Sequence, residues 1–315
     1  MRSPGQFPSN CGHIDRSTGV HVETGSMVTT NYCPEVKLAT KLAQQMVEIV
    51  DDEVASYRDS GFVESKDERD IVTSADQAIE MRLRRELKTI DPSSHILGEE
   101  DAERSPTARS FKRQWVIDPI DGTINFARDI DIYTSTASLI DNGKPTIAVV
   151  YQPWPRTITI AVRGHGCWRW DGVIGAECNL SGIKLTTQTT RWSKSLHALM
   201  LTPKISENSR LATLRLTEML LSQTLGIRVF VSQAYESTML ASGSIDAVLT
   251  LSSSDEWTKG ASRLICEEAG GLFAIIQRES EGDENEGFGL FASTPVYKRI
   301  AGLLRTVGYS ARLEK

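Results

Sequence analysis

The segment 115–126 constrains the fold and the chemistry of this chain more than any other. It reads Trp-Val-Ile-Asp-Pro-Ile-Asp-Gly-Thr-Ile-Asn-Phe, so that an apolar run typical of a buried strand ends in two acids, Asp118 and Asp121. Pro119 restricts the backbone between these acids, and Gly122 permits a tight turn and the close approach of a ligand. The sequence therefore predicts a rigid corner whose two carboxylates point at one place, which suits a hard cation such as Mg²⁺.

An ordinary polar turn is the alternative interpretation of this corner, because Asp, Pro and Gly are common turn residues. Two other segments favour a functional site. An apolar run ends at Gly98-Glu99-Glu100, and the segment 70–76, Asp-Ile-Val-Thr-Ser-Ala-Asp, precedes a helical pattern. Acids at the ends of three such elements predict one shared site. The backbone amides after Asp121 can also hold a phosphate oxygen at the start of the next turn.

These segments resemble the inositol monophosphatase family. The matching pieces occur in the family's order and at about its spacing, cover most of residues 35–310, and are 70–77, 97–100, 115–126 and the Glu-Ala-Gly-Gly of 268–271. The Asn125-Phe126 ending is similar to the inositol phosphatase branch, whereas bisphosphate nucleotidases more often carry Lys-Gly-Phe there.

The resemblance implies an α/β fold with layers in the order α-β-α-β-α. An N-terminal α+β lobe at 31–186 would carry the metal-binding motifs, a C-terminal α/β lobe would cover 187–315, and the site would lie between the lobes. Residues 1–30 are rich in Gly, Ser, Pro and Thr and lack apolar periodicity, which predicts a flexible N-terminal extension.

The residue patterns predict the elements within these lobes. Apolar residues at helical spacing predict helices from Val36 and over 76–90, and Asp141-Asn142-Gly143 predicts a hairpin turn. In the second half, strand and helix patterns alternate, with one strand expected at 228–231. This alternation is typical of an α/β layer.

The resemblance also implies a role for each site residue. Glu99, Asp118 and the Ile120 carbonyl would hold a first Mg²⁺, and Asp118 and Asp121 a second. Thr123, backed by Asp76, would orient and deprotonate the attacking water, with Glu99 also counted as catalytic. The phosphate and substrate would be bound by Gly122, Thr123 and Asp121. Glu100 is interpreted as a supporting or surface acid. The alternative role of Asp76 is to cap the helix predicted over 76–90.

One position departs from the family pattern. Counting back from Glu268, the Asp of the family's Trp-Asp motif corresponds to Thr258, and this Asp would be the further acid of the second metal site. A hydroxyl ligates Mg²⁺ more weakly than a carboxylate because it carries no charge. Asp255 or Glu256 could substitute if the helix began a turn earlier, although Asp255 could equally act only as the helix cap. The segment 231–234 also lacks the family's usual Gly-Ser.

Composition limits the partners and the compartment. A net charge of −6 disfavours binding to nucleic acid. The five cysteines are scattered without a Cys-x-x-Cys motif, which favours reduced thiols in a cytoplasmic protein. No apolar run reaches the roughly 18 residues that span a bilayer, so no membrane association is expected.

The sequence therefore predicts a Mg²⁺-dependent phosphatase that hydrolyses a small phosphate monoester, an inositol phosphate or a related polyol or sugar phosphate. The alternatives are a phosphatase of a nucleotide or of a specialised-pathway metabolite, and a catalytically weakened family member that binds a phosphorylated ligand or a partner protein. The resemblance further implies inhibition by Li⁺, weakened here by Thr258, and assembly into a homodimer away from the metal site.

Overall fold

A computed structural model of the protein describes residues 33–68, 70–102, 111–172, 182–188, 190–200, 207–250, 256–278 and 288–314. Within these ranges, only the backbone is described for residues 67, 101, 102, 256–258 and 288. The predicted extension at 1–30 and the position of Asp255 lie outside the described residues. Residues from Tyr32 to Lys315 form one compact unit.

Helices account for both of the strongest helical patterns in the sequence. The helices are α1 (Pro34–Ser60), α2 (Ser74–Ile90), α3 (Glu99–Ala102), α4 (Thr123–Ala127), α5 (Glu207–Gln223), α6 (Gln233–Ala241), α7 (Glu256–Glu268) and α8 (Thr294–Thr306). In α1, Leu42, Met46 and Val50 recur at every fourth position and are buried, which confirms the predicted apolar face. None of the described helices is long and apolar enough to cross a membrane.

The first sheet carries the segment with which the sequence analysis began. Its strands, in spatial order, are β3 (His95–Gly98), β4 (Arg113–Asp121), β5 (Thr134–Asp141), β6 (Lys144–Gln152), β7 (Thr157–Val162), β8 (Gly166–Asp171) and β9 (Ile183–Leu185). Only β3 and β4 pair in parallel; the other neighbours are antiparallel. The hairpin between β5 and β6 turns at Asn142 and Gly143, both with positive φ, as the sequence predicts.

The second sheet is mixed. Its strands, in spatial order, are β11 (Gly226–Arg228), β10 (Leu196–Met200), β12 (Ala247–Thr250), β14 (Phe288–Ala292), β13 (Leu272–Arg278) and β15 (Tyr309–Leu313). The strands β10, β11 and β12 run parallel, and the remaining pairs are antiparallel. A separate antiparallel hairpin consists of β1 (Val63–Asp67) and β2 (Asp70–Thr73).

Burial places the two sheets between three layers of helices. Trp115 and Tyr151 of the first sheet pack in one core with residues of α1 and α2. On the other face, Val150 packs with residues of α6 and α7, which also contact the second sheet. The far face of the second sheet packs on α5 and α8. The order α-β-α-β-α of the predicted α/β fold is therefore confirmed.

The boundary between two lobes at residues 186 and 187 stays a prediction. One predicted strand is wrong in its position, because the expected strand at 228–231 is β11 at Gly226–Arg228. Val231 has a φ of 58°, a left-handed conformation that a β-branched residue rarely adopts. The chain therefore leaves the sheet after Arg228, and the freed segment approaches the corner at the end of β4.

Candidate metal and phosphate site

The corner after β4 depends on a glycine. Gly122 has a φ of 101° and precedes α4. A Cβ atom at this position would lie 3.0 Å from the carbonyl oxygen of Ile132 and 3.3 Å from the Cβ of Ser232. Because the backbone conformation is strained for any other residue and the space is closed, the turn requires glycine. It ends β4 immediately after Asp121.

Asp118 is a buried acid of this corner. Its side chain is 5% exposed, and its Oδ1 atom receives no hydrogen bond from any described residue. Burial, and secondarily the charges of Glu99 and Asp121, raise the pKa of Asp118 well above its ordinary value. Burial likewise raises the pKa of Glu99 to about 7. Two adjacent carboxyl groups with raised pKa values favour a bound cation, which would stabilise their charged forms.

A buried contact fixes the backbone that carries Glu99. The Glu80 carboxylate accepts a hydrogen bond from the backbone nitrogen of Glu100 at 3.0 Å. A Cβ at Gly98 would lie 2.3 Å from that carboxylate, so Gly98 gives it the room it needs. Arg84 donates to Glu80 at 2.9 Å and balances its charge. The turn from β3 into α3 is therefore held from α2.

A lysine that the sequence analysis did not single out contacts the acids of this turn. The Nζ atom of Lys66, on β1, lies 2.7 Å from Oε1 of Glu100 and 3.6 Å from Oε1 of Glu99. Burial disfavours the charge of Lys66, but the attraction of the two carboxylates outweighs it and raises the lysine pKa. Glu100 thus pairs with Lys66, in agreement with a supporting role. The charge-rich hairpin gave no apolar pattern that could have located Lys66.

Asp76 contacts both the start of α2 and Thr123. It forms a capping box with Thr73 at the start of α2, with the Thr73 nitrogen 2.8 Å from its Oδ2. Its other oxygen, Oδ1, accepts from the Thr123 hydroxyl at 3.4 Å. Burial raises the pKa of Asp76 to about 7, against the lowering effect of its hydrogen bonds from Thr73. A carboxylate with such a pKa is suited to accept a proton near neutral pH.

The Asp121 carboxylate is held by the start of α6. Its Oδ2 atom accepts from the Ser232 hydroxyl at 2.8 Å and from the Ala234 nitrogen at 2.7 Å. Its Oδ1 atom accepts from the Gln233 nitrogen at 3.3 Å. The segment 231–234 was noted only for lacking the family's Gly-Ser, and its sequence gave no sign that it binds Asp121.

Asn125 makes a second connection to the same segment. Its side-chain nitrogen donates to the carbonyl oxygens of Ile132 and Phe230, both at 2.8 Å. Only an amide side chain supplies two such donors from one atom without a charge. The residue that the resemblance associates with the inositol phosphatase branch thus ties the corner to the segment that precedes α6.

The predicted site residues fall into three groups. Asp76, Glu99, Asp118 and Thr123 lie together, and Oγ1 of Thr123 lies 3.0 Å from the Ile120 carbonyl oxygen. Asp121 turns toward α6. Thr258 lies in the first turn of α7, and nothing is described of its side chain. Among the described residues, no three acidic, histidine or cysteine side chains are close enough to form a metal site by themselves.

The chemistry of the described donors fits Mg²⁺ nonetheless. All of them are oxygen atoms, which this cation prefers, and Mg²⁺ is usually bound by one or two carboxylates together with water and substrate phosphate. The buried Oδ1 of Asp118 has no other partner among the described residues. Glu99, Asp118 and the Ile120 carbonyl are therefore the residues that would hold the ion.

Comparison with known proteins shows the family of the chain. The model of the inositol monophosphatase family matches residues 33–307. A Nus factor SuhB from Xylella fastidiosa is 32% identical over 65% of this chain and 69% of its own. A 3'(2'),5'-bisphosphate nucleotidase CysQ from Aggregatibacter actinomycetemcomitans is 26% identical over 75% and 84%.

Solved structures agree in fold. An IMPase/NADP phosphatase complexed with Mg²⁺ and phosphate superimposes with a TM-score of 0.68, at 17% identity, covering 89% of this chain and 99% of its own. The sequence motifs, the layered fold and the family match over 33–307 agree, and the chain belongs to the inositol monophosphatase family.

Proposed function

We propose that this protein is a Mg²⁺-dependent phosphomonoesterase that acts on an inositol phosphate or a related polyol or sugar phosphate. Its family consists of metal-dependent phosphatases, so the reaction class is that of a phosphoric monoester hydrolase. The observation that carries the proposal is the meeting of Asp118, Glu99, Thr123 and Asp76 from four different elements at one corner. Each of the three carboxyl groups has a pKa raised by burial.

The metal would be held by Glu99, Asp118 and the Ile120 carbonyl oxygen. Bound Mg²⁺ would polarise a phosphoryl oxygen and lower the pKa of a coordinated water. By resemblance, Asp118 and Asp121 are assigned to a second ion, with Thr258 at the position of a further acid. For Asp121 this requires sharing its oxygens with the donors of α6, because both oxygens already accept hydrogen bonds there.

Proton transfer would run through Thr123. Its Oγ1 atom lies between the Ile120 carbonyl oxygen at 3.0 Å and Oδ1 of Asp76 at 3.4 Å. A water that attacks phosphorus can give its proton to Oγ1 while the hydroxyl proton passes to Oδ1 of Asp76. The bond from phosphorus to the alkoxide oxygen breaks as the new bond forms, and the alkoxide takes a proton from solvent. Burial prepares Asp76 for this step by raising its pKa to about 7. The backbone amides of Gly122 and Thr123 would hold the phosphate.

The test is phosphate release from a panel of esters at several Mg²⁺ concentrations. The panel contains inositol monophosphates, sugar phosphates and a 3',5'-bisphosphate nucleotide, which separates the main proposal from the nucleotidase alternative. We expect Asp118→Asn to lower turnover by more than about 100-fold, since even residues behind metal ligands cost about 10–100-fold. Asp131→Asn is the matched control, because Asp131 is exposed. Unchanged turnover of Asp118→Asn at saturating Mg²⁺ would refute the assignment.

A catalytically weakened binding protein is the second candidate. Two observations favour it: Thr258 stands where the resemblance places an acidic ligand, and the Lys66 ammonium lies 3.6 Å from the Glu99 carboxylate. Absence of Mg²⁺-dependent turnover on every ester, together with saturable binding of inositol monophosphate by calorimetry, would support this candidate over the first.

A further inference from the structure

A cavity of about 340 Å³ lies between α7, the first sheet and β13. Its apolar walls include Val116 and Ile140 from the first sheet and Phe273 and Ile275 from β13. None of the acids of the metal site lines it. A concave, mainly apolar space of this size with a few polar groups is typical of small-molecule sites.

The cavity is close to the metal site but separate from it. Along β4 and β5, Val116 pairs with Ser138 and Asp118 pairs with Thr136. Alternate residues of a strand share a face, so Val116 and Asp118 lie on the same side of the sheet. The cavity therefore begins two residue pairs along from Asp118, toward the end of β5 that enters the turn at 142–143.

Two buried polar atoms line the cavity without a partner. Ser138 is 1% exposed, and neither its Oγ atom nor Oε1 of Gln114 forms a hydrogen bond with a described residue. Buried polar atoms in folded proteins almost always have a partner. These two atoms lie in the wall of the cavity and would be satisfied by a molecule inside it that offers polar groups of its own.

An arginine of the lining already binds carboxylates. The charged residues of the described lining are Lys259, Arg263 and Glu314. Arg263 contacts the Glu314 carboxylate, a residue beyond the end of β15, and also donates to Glu267 at 2.8 Å. The contact with Glu314 demonstrates that a carboxylate can reach the guanidinium at this position.

We propose that this cavity is a second small-molecule site, for an organic carboxylate with an apolar body. The carboxylate would pair with Arg263 in place of Glu314, the apolar body would lie against Phe273 and Ile275, and Ser138 would bind a polar group of the ligand. This inference goes beyond the proposed function and does not depend on it, because the ligand needs neither the metal nor a phosphate.

The test is calorimetric titration of the full chain with phenylacetate, which is not a phosphate ester and cannot be hydrolysed. We expect saturable binding, both with Mg²⁺ and with EDTA, and none of the neutral phenylacetamide. Arg263→Gln should weaken binding at least about tenfold, because a charge-assisted hydrogen bond is lost. Glu314→Gln should strengthen binding, since it removes the competing carboxylate. Ile275→Trp should abolish binding by filling the cavity.

Arg299→Gln is the matched control, because Arg299 is exposed on α8 and does not line the cavity; it should bind phenylacetate as the parent does. Thermal unfolding checks that each variant is folded. If Arg263→Gln is unfolded, the opposite effects of Glu314→Gln and Ile275→Trp on phenylacetate binding still test the proposal. The proposal is overturned if the parent shows no saturable binding, if phenylacetamide binds equally well, or if Glu314→Gln weakens binding. Failure here would leave the phosphatase proposal standing, because the two assays share neither ligand nor variant.

Discussion

The Thr123 hydroxyl lies 3.4 Å from Oδ1 of Asp76, although 47 positions separate the two residues in the chain. Thr123 begins α4 and Asp76 is the third residue of α2, so the contact joins two helix starts. Because Asp76 also accepts from Thr73, its carboxylate has little freedom to turn away. The pair is therefore a fixed hydrogen-bonded unit beside the metal corner.

The pH dependence of hydrolysis should report the charge of Asp76. As a base, it must be deprotonated. Burial raises its pKa to about 7 in the metal-free protein and a bound Mg²⁺ would lower it again, so kcat at saturating Mg²⁺ should rise with pH and level off at or below about 7. Asp76→Asn should lower kcat by roughly 10²–10⁴-fold and flatten this rise. Thr123→Ser should keep the profile, whereas Thr123→Val should lose it. An Asp76→Asn enzyme with the parent's rate and profile would contradict the role.

The substitution Thr258→Asp should strengthen the second metal site. It places a carboxylate in the first turn of α7, where a negative charge is favoured by the helix dipole. We expect a higher Mg²⁺ affinity, faster turnover, and stronger inhibition by Li⁺ than in the parent. Thermal unfolding across a Mg²⁺ titration should show a larger stabilisation of the variant, since a ligand that binds only the folded state raises its stability.

Thr258→Asn is the control for this prediction, because it adds a similar volume without charge. Equal Mg²⁺-induced shifts in the parent and in Thr258→Asp would mean that position 258 does not face the metal. Potent inhibition of the parent by Li⁺ would mean that another acid already fills the role.

A buried histidine should make the protein less stable in mild acid. His197 is fully buried, and burial lowers its pKa to about 4, below its ordinary value of about 6.5. A lowered pKa means that the neutral form is favoured in the folded state. Its contribution to stability is therefore complete above pH 6.5 and is lost as the pH falls toward 4.

Denaturant unfolding of the parent and of His197→Gln at pH 7.5, 5.5 and 4 measures this contribution. The stability difference between the two proteins should shrink as the pH falls. Taking the difference also removes the effect of the buried carboxyl groups, which is opposite in sign and common to both proteins. His165→Gln, on an exposed turn, is the control. A difference that stays constant with pH would refute the assignment to His197.

The outer face of α5 predicts where two copies of this chain would meet. Leu211, Leu214 and Leu221 are about half exposed on this helix, and Leu225 follows it at 64% exposed. We expect a homodimer by light scattering at micromolar concentration, and a monomer for the double variant Leu214→Glu/Leu221→Glu. Lys298→Glu, exposed on α8, should remain dimeric. A parent that scatters as a monomer would contradict the prediction.

Sequence patterns were sufficient where one local rule decided the structure. The four-residue spacing of Leu42, Met46 and Val50 predicted α1, and Asn142-Gly143 predicted the hairpin. The corner was predicted because Asp118, Pro119 and Gly122 fix it by local geometry. All of these features depend on residues close together in the chain.

Sequence patterns did not predict the structure where it depends on contacts between residues far apart in the chain. Nothing local predicts that Lys66 on a charge-rich hairpin contacts Glu99, or that Ser232 holds Asp121 from 111 positions away. The strand expected at 228–231 ended early because Val231 takes up a left-handed conformation as the chain approaches the corner. Such contacts follow from packing of the layers, which the pattern of a single segment does not contain.

The hydrogen bonds from the start of α6 to Asp121 separate the presence of this acid in the corner from the direction of its side chain. A motif search would treat the two as one property. The acids of the corner belong to the first sheet, but the direction of the Asp121 side chain is set by Ser232 and Ala234. Substitutions in that short segment can thus redirect Asp121 while every residue of 115–126 stays unchanged. Under the proposed function, residues 231–234 would therefore alter what Asp121 binds while the sequence of the corner itself stays the same.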